Sequence, residues 1–234
     1  MLTQSLNTSV IGNRTPPAAG SAPEQFCGFT GHAGLIATEF TYSKDEEIYG
    51  EDEPAEYVYQ VIRGAVRTYK MLSDGRRQIG AFHLPGDVFG LEVGASHRLA
   101  AEAIVDTTVR LVRRRSLEQA AATNVRVSHK LWTMTAGELR HAEEHMLLLG
   151  RKTAAEKVAA FLLEMDQRMR PTGAISLPMT RRDIADYLGL TLETVSRTIS
   201  QLQAEGVVER SSARQIIVQR RSKLRELGSE DFFQ

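Results

Sequence analysis

Residues 180 to 206, TRRDIADYLGLTLETVSRTISQLQAEG, constrain this chain more than any other stretch, because helix starts, a turn and a stop follow one another at short intervals. Thr180 followed three residues later by Asp183 resembles a capping box with a shortened acid, ahead of an apolar pattern at Ile184, Ala185 and Leu188. One helix is therefore expected from about Arg181. Gly189 stands where that helix must reverse and where a positive φ costs glycine little, and Thr191 is placed to cap the next helix. Val195, Ile199 and Leu202, spaced by four and three, form the buried stripe of that second helix, which runs to about Glu205 and stops at Gly206. The pattern predicts a helix-turn-helix.

Leu192, Glu193, Ser196 and Arg197 lie early in the second helix, on the face its buried stripe leaves free. Arginine can fork onto O6 and N7 of guanine, glutamate can accept from N4 of cytosine, and an apolar side chain can lie on a thymine methyl. These four are the expected base-reading residues. The plainer alternative is a piece of globular core in which Glu193 and Arg197 form an ordinary i,i+4 pair.

Charge supports DNA only weakly. The 29 basic and 29 acidic residues cancel over the whole chain, yet Thr180 to Arg225 holds nine Arg and Lys against five Asp and Glu. At 234 residues with 42% hydrophobic and 25% charged residues, the chain is long enough for one large or two ordinary globular domains. Cys27, the single cysteine, excludes an intramolecular disulfide and an all-cysteine metal or iron–sulfur site within one chain. With neither an apolar leader nor a run long enough to span a bilayer, a reducing cytoplasm is expected and no membrane.

Residues 1 to 25 have the Ser, Thr, Pro and Gly content of a flexible tail. From Phe26 the texture is of short alternating strands. Tyr57, Tyr59 and Val61 alternate, Val66 and Thr68 continue past Gly64, and Ser73-Asp74-Gly75 makes a hairpin turn before Gln78 to Phe82. Pro85-Gly86-Asp87 is another turn, followed by Val88 to Leu91 and a last run from Ala103 to Val112. A barrel or roll is expected. Trp132, Thr135, Leu139, Ala142, Met146 and Leu149 then recur by three and four along a helix from about Val125 to Leu149, a heptad seam that can pair with its own copy. Gly150 is expected to break that helix and Thr153 to start another, with Val158, Phe161, Leu162 and Met165 inward and Pro171-Thr172-Gly173 closing it. VVER, SSAR and QIIVQ, residues 207 to 219, read as two strands around a polar loop, a wing. Arg210 and Arg214 of the wing join Thr180, Arg181, Arg182 and Thr191 as candidates for positioning phosphates.

The stretch VYQVIRGAVRTYKMLSDGRRQIGAFHLPGDVFGL resembles the cyclic-nucleotide-binding β-roll of the CRP/FNR family of bacterial transcription regulators, and LETVSR, residues 192 to 197, resembles the recognition helix of its FNR and FixK branch. The resemblance runs from about residue 30 to 220. It implies an α+β chain: a β-roll over 26–124, a dimerisation helix over 125–150 and a winged helix-turn-helix over 151–234. It further implies a homodimer on a TTGA…TCAA palindrome, Glu193 and Arg197 on the G·C pair, Ser196 and Leu192 on thymines, and an activator that works with RNA polymerase in oxygen limitation.

The resemblance also bears on effectors. Members that hold cyclic AMP resemble one another in a Gly-Glu-Leu stretch followed by an Arg-Ser pair that grips the phosphate. Here Gly90-Leu91-Glu92 and Leu99-Ala100-Ala101 stand instead, with Arg98 beside the second. No bound effector, cofactor or metal is expected, and the FixK-like reading implies control by abundance. The alternatives are gating by a cyclic nucleotide, or by haem on His83, and, more remotely, a zinc peptidase built on His141-Ala142-Glu143-Glu144-His145. The expectation is a regulator, not an enzyme.

Overall fold

A computed structural model describes residues 35–169, 174–212 and 214–228. The expected tail, Cys27 and the Pro171–Gly173 turn lie outside the described residues. Eight strands form the N-terminal half: β1 (Ala37–Tyr42), β2 (Glu47–Tyr49), β3 (Tyr57–Arg63), β4 (Val66–Met71), β5 (Arg77–His83), β6 (Val88–Phe89), β7 (Ala100–Ala103) and β8 (Thr107–Arg113). They make two four-stranded sheets in the orders β1-β8-β3-β6 and β2-β7-β4-β5, antiparallel at every pairing. The alternation read in the sequence aims Tyr59, Val61, Val66, Val109 and Leu111 into a core between them.

Two strand expectations need correction. Ala103 to Val112 is not one run, because the chain changes sheets at 104–106 and gives β7 to one sheet and β8 to the other. The crossing is pinned to the β3–β4 turn: Ile104 N–H donates to the Ala65 carbonyl at 2.9 Å, and the Ala65 N–H donates to Thr107 Oγ1 at 3.1 Å. Gly64 sits against this crossing at φ 91°, where a Cβ would stand 2.4 Å from Thr107 Oγ1. The strand expected over Val88 to Leu91 covers only Val88–Phe89.

Helix α1 (Arg114–Thr123) follows β8 without a break, and α2 (Val125–Arg151) follows α1. Asn124 separates them, its side chain accepting from the N–H groups of Arg126 and Val127. Gly150 does not break α2, which runs through it to Arg151. Glycine costs a helix about 1 kcal/mol, too little to end one. The actual stop is Lys152 in an extended conformation, followed by the Thr153–Glu156 capping box that starts α3 (Ala154–Arg168).

The C-terminal half continues with β9 (Ala174–Ser176), α4 (Arg181–Leu188), α5 (Leu192–Ala204), β10 (Val208–Arg210), β11 (Gln215–Val218) and α6 (Arg221–Gly228). Three strands, in the order β10-β11-β9, form the wing sheet. Helices α1 and α6 carry no expectation from the sequence. The latter packs on α3, where Arg221 reaches the buried Asp166 carboxylate at 2.5 Å and Lys152 donates to the Gly228 carbonyl.

The two halves share one core. Ala65, Ile79, Phe82, Leu84 and Ile104 of the roll belong to the same buried cluster as Phe161, Leu162, Ile184, Tyr187, Val195 and Ile199. Phe82 bridges them, with its ring centroid 5.1 Å from Tyr187 and 6.2 Å from Phe161.

Candidate nucleic-acid interface

The local chemistry of residues 180 to 206 is formed as expected. Thr180 Oγ1 accepts from the Asp183 N–H at 3.1 Å while Asp183 Oδ2 accepts from the Thr180 N–H at 2.9 Å, so both halves of the capping box close. Gly189 ends α4 at φ 61°, and the Thr191 hydroxyl caps α5 by accepting from the Thr194 N–H at 3.1 Å. Val195, Thr198, Ile199 and Leu202 are buried. Their stripe fixes the rotation of α5, and it leaves Glu193, Ser196 and Arg197 exposed with Leu192 half-buried beside them. At the far end of α5, Arg220 donates to the carbonyls of Glu205 and Gly206. That end cap of a cation on unsatisfied carbonyls joins residues from two elements, so nothing in the helix's own sequence announces it.

The arginines divide into paired and unpaired sets, and five of the unpaired ones gather at this face. Arg67, Arg77, Arg110, Arg114 and Arg168 each hold a carboxylate. Among the described residues, no ion pair occupies Arg181, Arg182, Arg197, Arg210 or Arg214, and the Glu193–Arg197 pair that the spacing permits is not formed. Arg182, Arg210 and Arg214 are exposed, as are Thr180 and Thr191. Arg181 is half-buried at the start of α4, its Nη1 has no hydrogen-bond partner, and burial together with the Arg210 charge pulls its pKa down. Two guanidinium groups placed near one another at a helix N-terminus favour an anion between them.

The seam expected on α2 divides. Trp132, Leu139 and Met146 are exposed, and Val125 extends them into a row at steps of seven. Thr135 and Ala142 are also exposed, whereas Leu149 is half-buried, its Cδ2 lying 3.4 Å from where a Cβ on Gly189 would stand. Leu149 thus faces the turn of the helix-turn-helix.

The other candidate groups pack against internal neighbours, and among the described residues the ring nitrogens of His97 and His145 have no hydrogen-bond partner. Arg98 folds back, its Nε donating to Glu92 Oε2 at 3.0 Å, and Arg114 Nη1 donates to the carbonyls of Glu92 and Gly94. His97, 1% exposed, stacks on Tyr49 at 3.6 Å between centroids, and Tyr49 continues into Tyr59 and Phe89. Ala100 and Ala101, which the resemblance sets against the Arg-Ser pair of the cyclic-AMP-binding members, are buried in β7. His83 lies within hydrogen-bonding distance of Thr68 Oγ1, 3.1 Å from its Nε2, and stacks on Phe89. His145 stacks on Tyr187 at 4.1 Å, and among the described residues no cluster of three metal-ligating side chains exists. No helix of the described residues is long and apolar enough to cross a membrane.

A β-roll, a long helix and a winged helix-turn-helix with an unpaired basic face define a DNA-binding transcription regulator. Residues 39–124 match the cyclic nucleotide-binding domain and residues 156–227 the Crp-like helix-turn-helix domain. The chain is 44% identical over 199 residues to the nitrogen fixation regulation protein FixK of Azorhizobium caulinodans, covering 83% of this chain and 80% of that one. The FixK of Rhizobium meliloti is 41% identical over 187 residues, covering 80% and 85%. The solved structure of FixK2 from Bradyrhizobium japonicum superposes with a TM-score of 0.82 at 71% identity, covering 85% of this chain and all of that one. The chain belongs to the CRP/FNR family of transcription regulators, in its FixK-like branch.

Proposed function

We propose that this chain is a homodimeric activator of oxygen-limitation genes that binds a TTGA…TCAA palindrome with no small molecule bound. The observation that carries this reading is the clustering of five arginines without acid partners around α4, α5 and the wing, beside the exposed first turns of α5. Leu192, Glu193, Ser196 and Arg197 read base edges. Thr180, Arg181, Arg182, Thr191, Arg210 and Arg214 hold the backbone, which sets register without reading sequence. FixK relatives named for nitrogen fixation regulation support the oxygen-limited setting, and activation requires contact with RNA polymerase.

Dimerisation through α2 follows from the apolar row at Val125, Trp132, Leu139 and Met146. At 27 residues α2 is about 40 Å long, and a parallel pair of such helices presents two recognition helices to half-sites about 34 Å apart. The effector-free part rests on the exposed Arg98 being paired with Glu92 and on the buried aromatic stack of His97, Tyr49 and Tyr59, which occupies part of the roll's interior.

Selection of random duplexes by the purified, ligand-free protein tests the whole reading. Recovery of a two-fold symmetric TTGA…TCAA site is expected. Recovery of unrelated sequences, or enrichment only when cyclic nucleotide is added, overturns it. Calorimetry with cyclic nucleotides then separates the ligand-gated alternative, for which binding must raise operator affinity.

A further inference from the structure

The roll and the DNA-binding half are joined by ions as well as by apolar packing. Asp183, the third residue of α4, is 1% exposed. Its Oδ2 serves the Thr180 cap, and its Oδ1 accepts from two guanidinium groups of the roll: Arg67 Nη1 on β4 at 3.0 Å and Arg77 Nη2 on β5 at 2.6 Å. Arg77 Nε also donates to Asp186 Oδ2, farther along α4, at 3.0 Å. Arg67 is itself held by Glu102 of β7 at 2.5 Å. Alongside this clasp, Gln78 Nε2 donates to the Tyr187 carbonyl at 3.3 Å. A buried ion cluster adds little net stability over apolar side chains of the same volume, but its directional bonds admit few arrangements. Apolar packing alone is non-directional. The cluster is therefore poorly suited to adding stability and well suited to fixing an angle.

We infer that Arg67 and Arg77 are positioning residues for operator binding: they lock the tilt of α4, and with it the recognition helix, so that a dimer accepts one spacer length between half-sites. The inference rests on the dimeric reading above. One base pair more or less moves a half-site by about 3.4 Å and about a tenth of a turn. Shared between two copies, that is about 1.7 Å each, close to the rise of one helical residue at about 1.5 Å. Three charge-assisted bonds along α4, two to Asp183 and one to Asp186, oppose a slide of that size.

The test uses the full chain, with Arg67→Met/Arg77→Met and Arg77→Met alone, on palindromes whose spacers differ by single base pairs and on palindromes with the guanine replaced. The native chain is expected to prefer one spacer over its neighbours by about tenfold or more. In the double variant that preference collapses to about twofold while dimer affinity and discrimination at the guanine stay unchanged; Arg77→Met, which leaves Asp183 paired with Arg67, falls between. Should the double variant fail to fold, the single variant carries the same comparison with a smaller effect. A folded variant that keeps the full spacer preference overturns the inference, as does parallel loss of base discrimination, which marks general damage. A native chain with no preference for palindromes overturns the dimeric reading and the inference with it.

Discussion

Truncating Leu139 to alanine tests the proposed dimer role of α2. In the single chain the residue is 61% exposed, so most of its apolar surface awaits a partner. Full burial of a leucine side chain contributes roughly 1.5–3 kcal/mol, which makes the exposed share worth about 1–2 kcal/mol per copy. In the proposed parallel pair both copies contribute, and alanine retains a fraction of the contact, so the expected loss is about 1.5–3 kcal/mol. That corresponds to roughly a 10- to 150-fold rise in the dimer dissociation constant, measurable by sedimentation equilibrium. The helix itself does not suffer, because alanine is the better helix former. The same exposure sets the refuting outcome. An unchanged dissociation constant with a fall in Tm of several degrees at concentrations where the chain is monomeric places Leu139 in an intrachain contact, and the seam is then not a dimer interface.

Three further outcomes follow from the geometry. Arg197→Ala is expected to lose about 1–3 kcal/mol on the specific operator and to relax preference at the guanine; an unchanged ratio of operator to random affinity at fixed salt refutes its base-reading role. Arg182→Ala is expected to weaken all duplexes alike and to reduce the salt slope by about one, and a change confined to one sequence contradicts a phosphate role. Burial pushes the pKa of His83 down from 6.5 to about 4. The unfolded chain therefore takes up this proton first as pH falls, so stability is full above pH 6.5 and is lost between 6.5 and 4, by about 3 kcal/mol for this group. His145, also pushed down to about 4 by burial, acts in the same direction. Denaturant titrations of the native chain and His83→Gln check this, and equal pH slopes for the two count against it.

What the sequence made legible is what short-range chemistry decides. Thr180, Asp183, Gly189 and Thr191 act on backbone groups within a few residues of themselves, so their spacing alone gave α4, the turn and α5. Helix α1 escaped because only Leu117 is buried in it and no side chain caps its start, which leaves neither periodicity nor a start signal. The break expected at Gly150 falls one residue short of the helix end, because Lys152 and the next cap, Thr153, set the stop. Leu149 fits the seam by spacing and faces the turn at Gly189 in the structure, because heptad spacing is silent about which of two surfaces a residue meets. Arg67 and Asp183 lie 116 residues apart. Asp183 was legible as a cap through its local bond, and its second role was not, since no pattern along a chain records which distant strand supplies a counter-charge.

The core that runs without a gap from Ile79 and Phe82 of the roll to Tyr187 and Ile199 makes the two halves inseparable in a practical sense. A fragment cut at the end of α2 would expose Phe161 and Tyr187 to water on the side that Phe82 covers, so the DNA-reading piece is no transplantable module. Heat is accordingly expected to melt the roll and the DNA-binding half in a single transition. Grafting the reader onto a foreign roll requires carrying the roll's contact strands along with it.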